Sequence, residues 1–117
     1  MVPVNSKTDE YEVNYDSATH TIRCVGSLRL NGVEEYAPIV EILNAVAKEQ
    51  PQTITLDLHD LNFLNSSGIN VLSKFVIAVR QAGCCELTVR GSKAVPWQSK
   101  SLINMQRLMP KLQLIIE

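Results

Sequence analysis

Within thirty residues the hydrophobic period of this chain changes from two to 3.6. Ile54, Leu56 and Leu58 alternate with polar neighbours, as in a strand with one buried side. Ile69, Leu72, Phe75, Val76 and Val79 then recur at helical spacing up to Gly83, a residue suited to the position just past a helix end. A strand followed by a helix and another strand (Cys85–Arg90, with Leu87 and Val89 alternating) is the unit that builds parallel sheets.

The flanks extend the pattern. Glu10–Tyr15 and Thr21–Leu28 read as a hairpin around the turn Asp16-Ser17-Ala18-Thr19. After the Asn31-Gly32 break, Ile39, Val40, Leu43, Val46 and Ala47 stripe a helix. Pro38 belongs in a first turn, which places the start of this helix near Glu35 or Tyr36 and its end before Pro51-Gln52. Thr53–Leu58 is the next strand, and Asp60–Leu64 reads as a loop. A helix over Ser99–Met109 turns Leu102, Met105, Leu108 and Met109 inward and is ended by Pro110; Gln113–Ile116 is a closing strand. The expected order is β-β-α-β-α-β-α-β in one domain over 1–117, with residues 1–8 open to disorder. The fold class is α/β, a mixed, mostly parallel sheet with an N-terminal antiparallel strand and about three helices.

Several function classes recede. No apolar run approaches the about 18 residues that span a bilayer, and residues 1–7 lack a signal pattern, so the expectation is a cytoplasmic protein without membrane insertion. Cys24, Cys84 and Cys85 form no CxxC and lie far from His20 and His59; they are expected to be reduced structural thiols, with no metal and no cofactor. No GxSxG elbow is present, and nothing marks either histidine as a base for a serine; Asp57 fits a strand end and Asp60 a cap or loop. No enzyme is expected. Residues 1–60 carry ten acids and four bases, whereas residues 61–117 carry two acids and seven bases. Five bases and no acid lie between Arg90 and Lys111. Spread bases, few aromatics and a pI near 6.1 point to a solvated face or an acidic protein partner rather than nucleic acid.

In a parallel sheet, function lies outside the carboxyl ends of the strands, where loops feed helix N-termini. The strand ending at Leu58 leads there, and the next helix opens with Asn65-Ser66-Ser67-Gly68. Asn and Ser accept first-turn amides, and Gly68 lets another backbone approach closely. On capping grounds alone this is an ordinary helix start. A phosphoryl group on either serine would face the positive end of the helix dipole.

Thr53–Leu72, with Asp57-Leu58, the short apolar loop and Asn65-Ser66-Ser67-Gly68, closely resembles the central segment of STAS domains, the anti-sigma-factor antagonists. Gly26-Ser27-Leu28 looks like that family's Gly-x-Leu-Asp turn, and the element order matches its fold from Glu10 to Ile116. The resemblance implies a partner switch. A serine-kinase anti-sigma factor would phosphorylate Ser67, with Ser66 the secondary candidate, and a phosphatase would reverse it. The implied contact surface is Asn65, Ser66, Ser67, Gly68, Asn70, Val71 and Lys74. Two positions depart from the pattern: Asn65 and Arg29 stand where the family has aspartates. They leave open a second reading, a STAS-like scaffold or accessory subunit of a transporter or multi-protein complex that is never phosphorylated. Trp97, in Val95-Pro96-Trp97-Gln98, is expected to serve the core of an extended loop in preference to anchoring a partner.

Overall fold

The computed structural model describes residues 5–83 and 85–117. In chain order the elements are β1 (Asn5–Lys7), β2 (Tyr11–Asp16), β3 (Thr21–Leu28), α1 (Gly32–Glu49), β4 (Thr53–Asp57), β5 (Leu61–Leu64), α2 (Ser66–Ala82), β6 (Glu86–Gly91), α3 (Gln98–Leu108) and β7 (Gln113–Ile116). One mixed sheet runs β1-β2-β3-β4-β6-β7, with β5 also on β3; the β1–β2 and β2–β3 pairs are antiparallel and all others parallel. The expected α/β architecture with three helices is present.

Register shows why one face carries the core. Tyr15, Ile22, Leu56, Val89 and Leu114 are cross-strand neighbours in one row. All but the half-buried Leu114 are sealed from solvent. Against this face pack Ile39, Leu43 and Val46 of α1, Leu72, Phe75, Val76 and Val79 of α2, and Leu102 and Met105 of α3. The next row, Asn14, Arg23, Asp57, Arg90 and Ile115, points to the other side and is half-buried or exposed. Parallel strands are usually covered on both faces. Here the uncovered side is polar, and alternating charges on neighbouring strands keep it soluble, with Arg23 beside Asp57 and Asp60 and Arg90 paired to Glu117 at 2.8 Å.

Several elements differ from expectation: β2 and β6 each lie one residue later at both ends, and β4 ends one residue earlier, at Asp57. Asn5–Lys7 forms β1 on β2, where disorder was open; residues 1–4, like Cys84, lie outside the described residues. Helix α1 starts at Gly32, not at Glu35 or Tyr36, so Pro38 sits in its second turn. A proline there removes the amide that would reach the Glu34 carbonyl, and Glu34 is exposed, so water can serve that carbonyl. Helix α3 covers Gln98–Leu108, one residue earlier than expected at each end.

Residues 61–64, read as loop, form β5. Strand β3 pairs with β4 over Thr21–Arg23 and with β5 over Gly26–Leu28, with a register shift at Gly26. The shift depends on glycine: its φ is +94°, and a Cβ there would lie 2.3 Å from the Glu10 carbonyl oxygen. Strand β5 is thus a resumption of β4 after the break at Leu58–Asp60, and it delivers the chain to α2.

That break is held from inside. Gln98 is fully buried; its amide nitrogen donates to the carbonyls of Leu58 (2.6 Å) and Leu61 (3.1 Å), and its Oε1 accepts from the Ser92 amide (2.6 Å). The half-buried Trp97 donates its indole N–H to the same Leu61 carbonyl at 3.0 Å and packs against the core, the role expected for it.

Candidate functional site

Helix α2 begins where β5 ends, and Asn65 is its N-cap in extended conformation. The Asn65 Oδ1 accepts from the Gly68 amide (2.9 Å) and from the Tyr36 hydroxyl (2.7 Å). Its Nδ2 donates to the Leu30 carbonyl at 2.8 Å. Its backbone amide donates to the Leu28 carbonyl (3.2 Å), and its own carbonyl accepts from Ile69 (2.9 Å). One residue therefore joins β3, the β3–α1 connection, α1 and α2. Burial pushes the Tyr36 phenol above its ordinary pKa, so it remains a proton donor at neutral pH.

The serines differ. Ser66 is exposed and Ser67 half-buried, at the first and second helical positions. With the Gly68 and Ile69 amides taken by Asn65, the amides of Ser66 and Ser67 are the first-turn donors the cap leaves available. No acidic residue lies in this turn, so the positive end of the helix dipole is uncompensated by a side chain. Gly68 is buried: a Cβ would sit 2.2 Å from Leu64 Cδ1 and 2.6 Å from Tyr36 Oη. The close approach at Gly68 is made by side chains and not, as expected, by another backbone.

Asn70 and Lys74 are exposed further along the helix, and Val71 is half-buried. Val71, Lys74 and Phe75 line a shallow groove of about 210 Å³ against Val33, Val40, Leu43 and Asn44 of α1. Four large apolar side chains are exposed among the described residues, and two of them flank this end of the molecule: Val33 (77 %) and Phe63 (40 %). The Arg29 guanidinium stands over the Phe63 ring, 4.7 Å from its centroid. Phe63, Val33 and Tyr36 were not singled out by the sequence. Tyr36 could have been, since it lies three residues before Ile39 on the apolar stripe of α1.

Other candidates for chemistry are engaged elsewhere. His20 Nδ1 is 3.0 Å from the Tyr15 hydroxyl, and His59 Nδ1 is 3.1 Å from Asp60. Asp60 serves as an ion-pair partner and not as a cap. Hydrogen bonds from His59 and then Arg23 hold its carboxyl below the usual range, which makes it a poor proton donor near neutrality. Asp57 accepts the His59 amide at 3.0 Å, as suits a strand end. Cys24 and Cys85 are buried, and burial lifts the Cys24 thiol to about 12. Among the described residues no group of three metal-ligating side chains converges, and no helix is long and apolar enough to cross a membrane.

Comparison with known proteins adds to this geometry. The STAS domain family model matches residues 38–107. No curated protein sequence matches the chain significantly. Three solved structures from Pseudomonas aeruginosa share the fold. A chain in the crystal structure of diguanylate cyclase SiaD in complex with its activator SiaC has a TM-score of 0.73 at 12 % identity, covering 98 % of this chain and 100 % of that one. SiaC itself has a TM-score of 0.70 at 14 % identity, covering 100 % and 98 %. Apo-SiaC has a TM-score of 0.71 at 14 % identity, covering 96 % and 93 %.

Proposed function

The chain belongs to the STAS domain family, and from that premise we propose that it is a non-enzymatic regulatory module that binds a protein partner at the N-terminal end of α2 and is switched there by phosphorylation of Ser67. The observation that carries the reading is the first turn of α2, where two serines stand beside uncommitted amides, no acidic side chain and the exposed Phe63 and Val33. The surface comprises Asn65, Ser66, Ser67, Asn70, Val71 and Lys74, with Gly68 packed beneath it.

The partner is a serine kinase of the anti-sigma type. It transfers the γ-phosphoryl group of ATP to Ser67 Oγ, with loss of the hydroxyl proton and release of ADP; a phosphatase hydrolyses the phosphoserine with water, restoring the hydroxyl and releasing inorganic phosphate. A phosphoserine brings about −1.5 to −2 charges. The free amides and dipole of α2 stabilise that charge by about 0.3–1 kcal/mol, so the module tolerates it. The partner does not: one like charge about 4 Å away, at an effective dielectric of 20, costs about 4 kcal/mol, close to three decades in affinity. That a structural neighbour is paired with a diguanylate cyclase supports a protein partner without fixing its chemistry.

Incubation with the kinase and ATP, followed by intact mass, tests the reading. Wild type should gain one phosphoryl group and Ser67→Ala none. Modification that persists in Ser67→Ala moves the acceptor to Ser66. Absence of any adduct favours a scaffold that uses the same surface without phosphorylation, the reading that the Asn65 amide in place of a carboxylate supports.

A further inference from the structure

The switch site leaves one sequence feature unused, the excess of bases in the second half of the chain. The structure gathers four of these seven bases on two helices. Neither α2 nor α3 contains a single Asp or Glu. Lys74 on α2 and Lys100 and Arg107 on α3 are exposed opposite the stripes that pack on the sheet, and Arg80 is exposed on the flank of α2 that faces α3. The two helices are neighbours, and Arg80 bridges them by donating to the Leu108 carbonyl at 3.2 Å. In the same outward layer lies Ile103, 45 % exposed.

We propose that this outward surface of α2 and α3 docks an acidic segment of a partner protein, with Ile103 as its apolar anchor. The inference rests on the interaction-module reading and extends the contact surface from Ser66 and Asn70 along α2 and across to α3. Charge complementarity selects the occupant. The surface holds four cations and no anion, whereas on the uncovered sheet face Arg23 is paired with Asp57 and Asp60 and Arg90 with Glu117. Cations without acids on the same two helices favour encounter with a compact acidic patch, although the net charge of the chain is −1. A nucleic acid fits less well. Four cations are fewer than the about 6–10 phosphate contacts of a DNA-binding protein, and the nearest indole, Trp97, is committed to the Leu61 carbonyl. The arrangement also gives the switch a second lever, since a dianion at Ser67 opposes an acidic partner over the whole surface and not only at the point of contact.

Backbone-amide NMR of the full chain tests this with three probes: an amphipathic peptide of glutamates with leucines at helical spacing, duplex DNA, and vesicles containing anionic phosphatidylglycerol. The peptide should shift amides of both helices, and the double variant Lys100→Glu/Arg107→Glu should weaken it about tenfold, because two attractions become repulsions of similar size. Ile103→Ala should weaken binding without changing its salt dependence. The proposal is overturned by no binding of the peptide, by shifts confined to residues 65–70, or by tighter binding of DNA or vesicles than of the peptide. None of these readouts involves modification of Ser67, so the surface and the phosphorylation switch stand or fall separately.

Discussion

The side-chain amide of Asn65 donates to the Leu30 carbonyl across 2.8 Å, tying the start of α2 to the connection between β3 and α1. Only an amide can do this while its oxygen also accepts from Gly68 and Tyr36. A carboxylate keeps the two acceptor bonds and faces the Leu30 carbonyl with a lone pair.

Asn65→Asp is therefore expected to destabilise this chain, although aspartate is the residue the family pattern has there. The lost donor and the repulsion cost about 1–3 kcal/mol, offset by about 0.3–1 kcal/mol from a negative charge at the helix start. Urea unfolding checks the sign. A variant as stable as wild type would mean that the Leu30 contact carries no weight.

Gly68→Ala should be destabilising despite a gain of about 1 kcal/mol in helix propensity. The added methyl meets Leu64 and the Tyr36 hydroxyl, which is held by Asn65, and overpacking of this kind costs about 1–3 kcal/mol. Adding Tyr36→Phe to Gly68→Ala removes one of the two obstructing atoms. A double-mutant cycle should show a favourable coupling; strict additivity would place the strain elsewhere.

Gln98→Leu keeps the volume and removes the three side-chain bonds that Gln98 makes at the β4–β5 break. The buried Ser92 amide loses its partner, while the Leu58 carbonyl retains the Leu61 amide (3.0 Å) and the Leu61 carbonyl retains Trp97. With one buried amide stranded, a loss of about 1–3 kcal/mol is expected in thermal or urea melts.

Cys24 has a signature in alkali. Its thiol is pushed up to about 12 in the folded chain, against 9.0 for an unperturbed cysteine. The folded state then binds the proton more tightly. The resulting stabilisation is complete below about pH 9 and is lost as pH rises through the folded value. Stability of wild type should fall more steeply than that of Cys24→Val between pH 9 and 11, and native protein should resist thiol reagents at Cys24. Parallel pH profiles would contradict the assignment.

The parts legible in the sequence are those where burial follows a period. The rows of β2, β3, β4 and β6 and the stripes of α1, α2 and α3 came from alternation or helical spacing, because one face of the sheet is dry and the other wet. Strand β5 escaped because its buried residues, Leu61 and Leu64, are three apart, and its existence depends on the shift at Gly26 on another strand. Pro38 misplaced the start of α1 because a surface helix can leave a carbonyl to water. At the site, the cap and the serines were readable from composition. The Asn65–Leu30 bond, the Tyr36 hydroxyl and the Arg29–Phe63 contact were not, since each joins residues 29–35 positions apart.

The central claim is that a dianion at Ser67 releases a partner from the start of α2. The direct measurement compares the affinity of that partner for wild type and for protein carrying phosphoserine at position 67. The account predicts a loss approaching about a thousandfold, with Ser67→Ala binding like wild type. Equal affinity of the phosphorylated and unmodified proteins would contradict it.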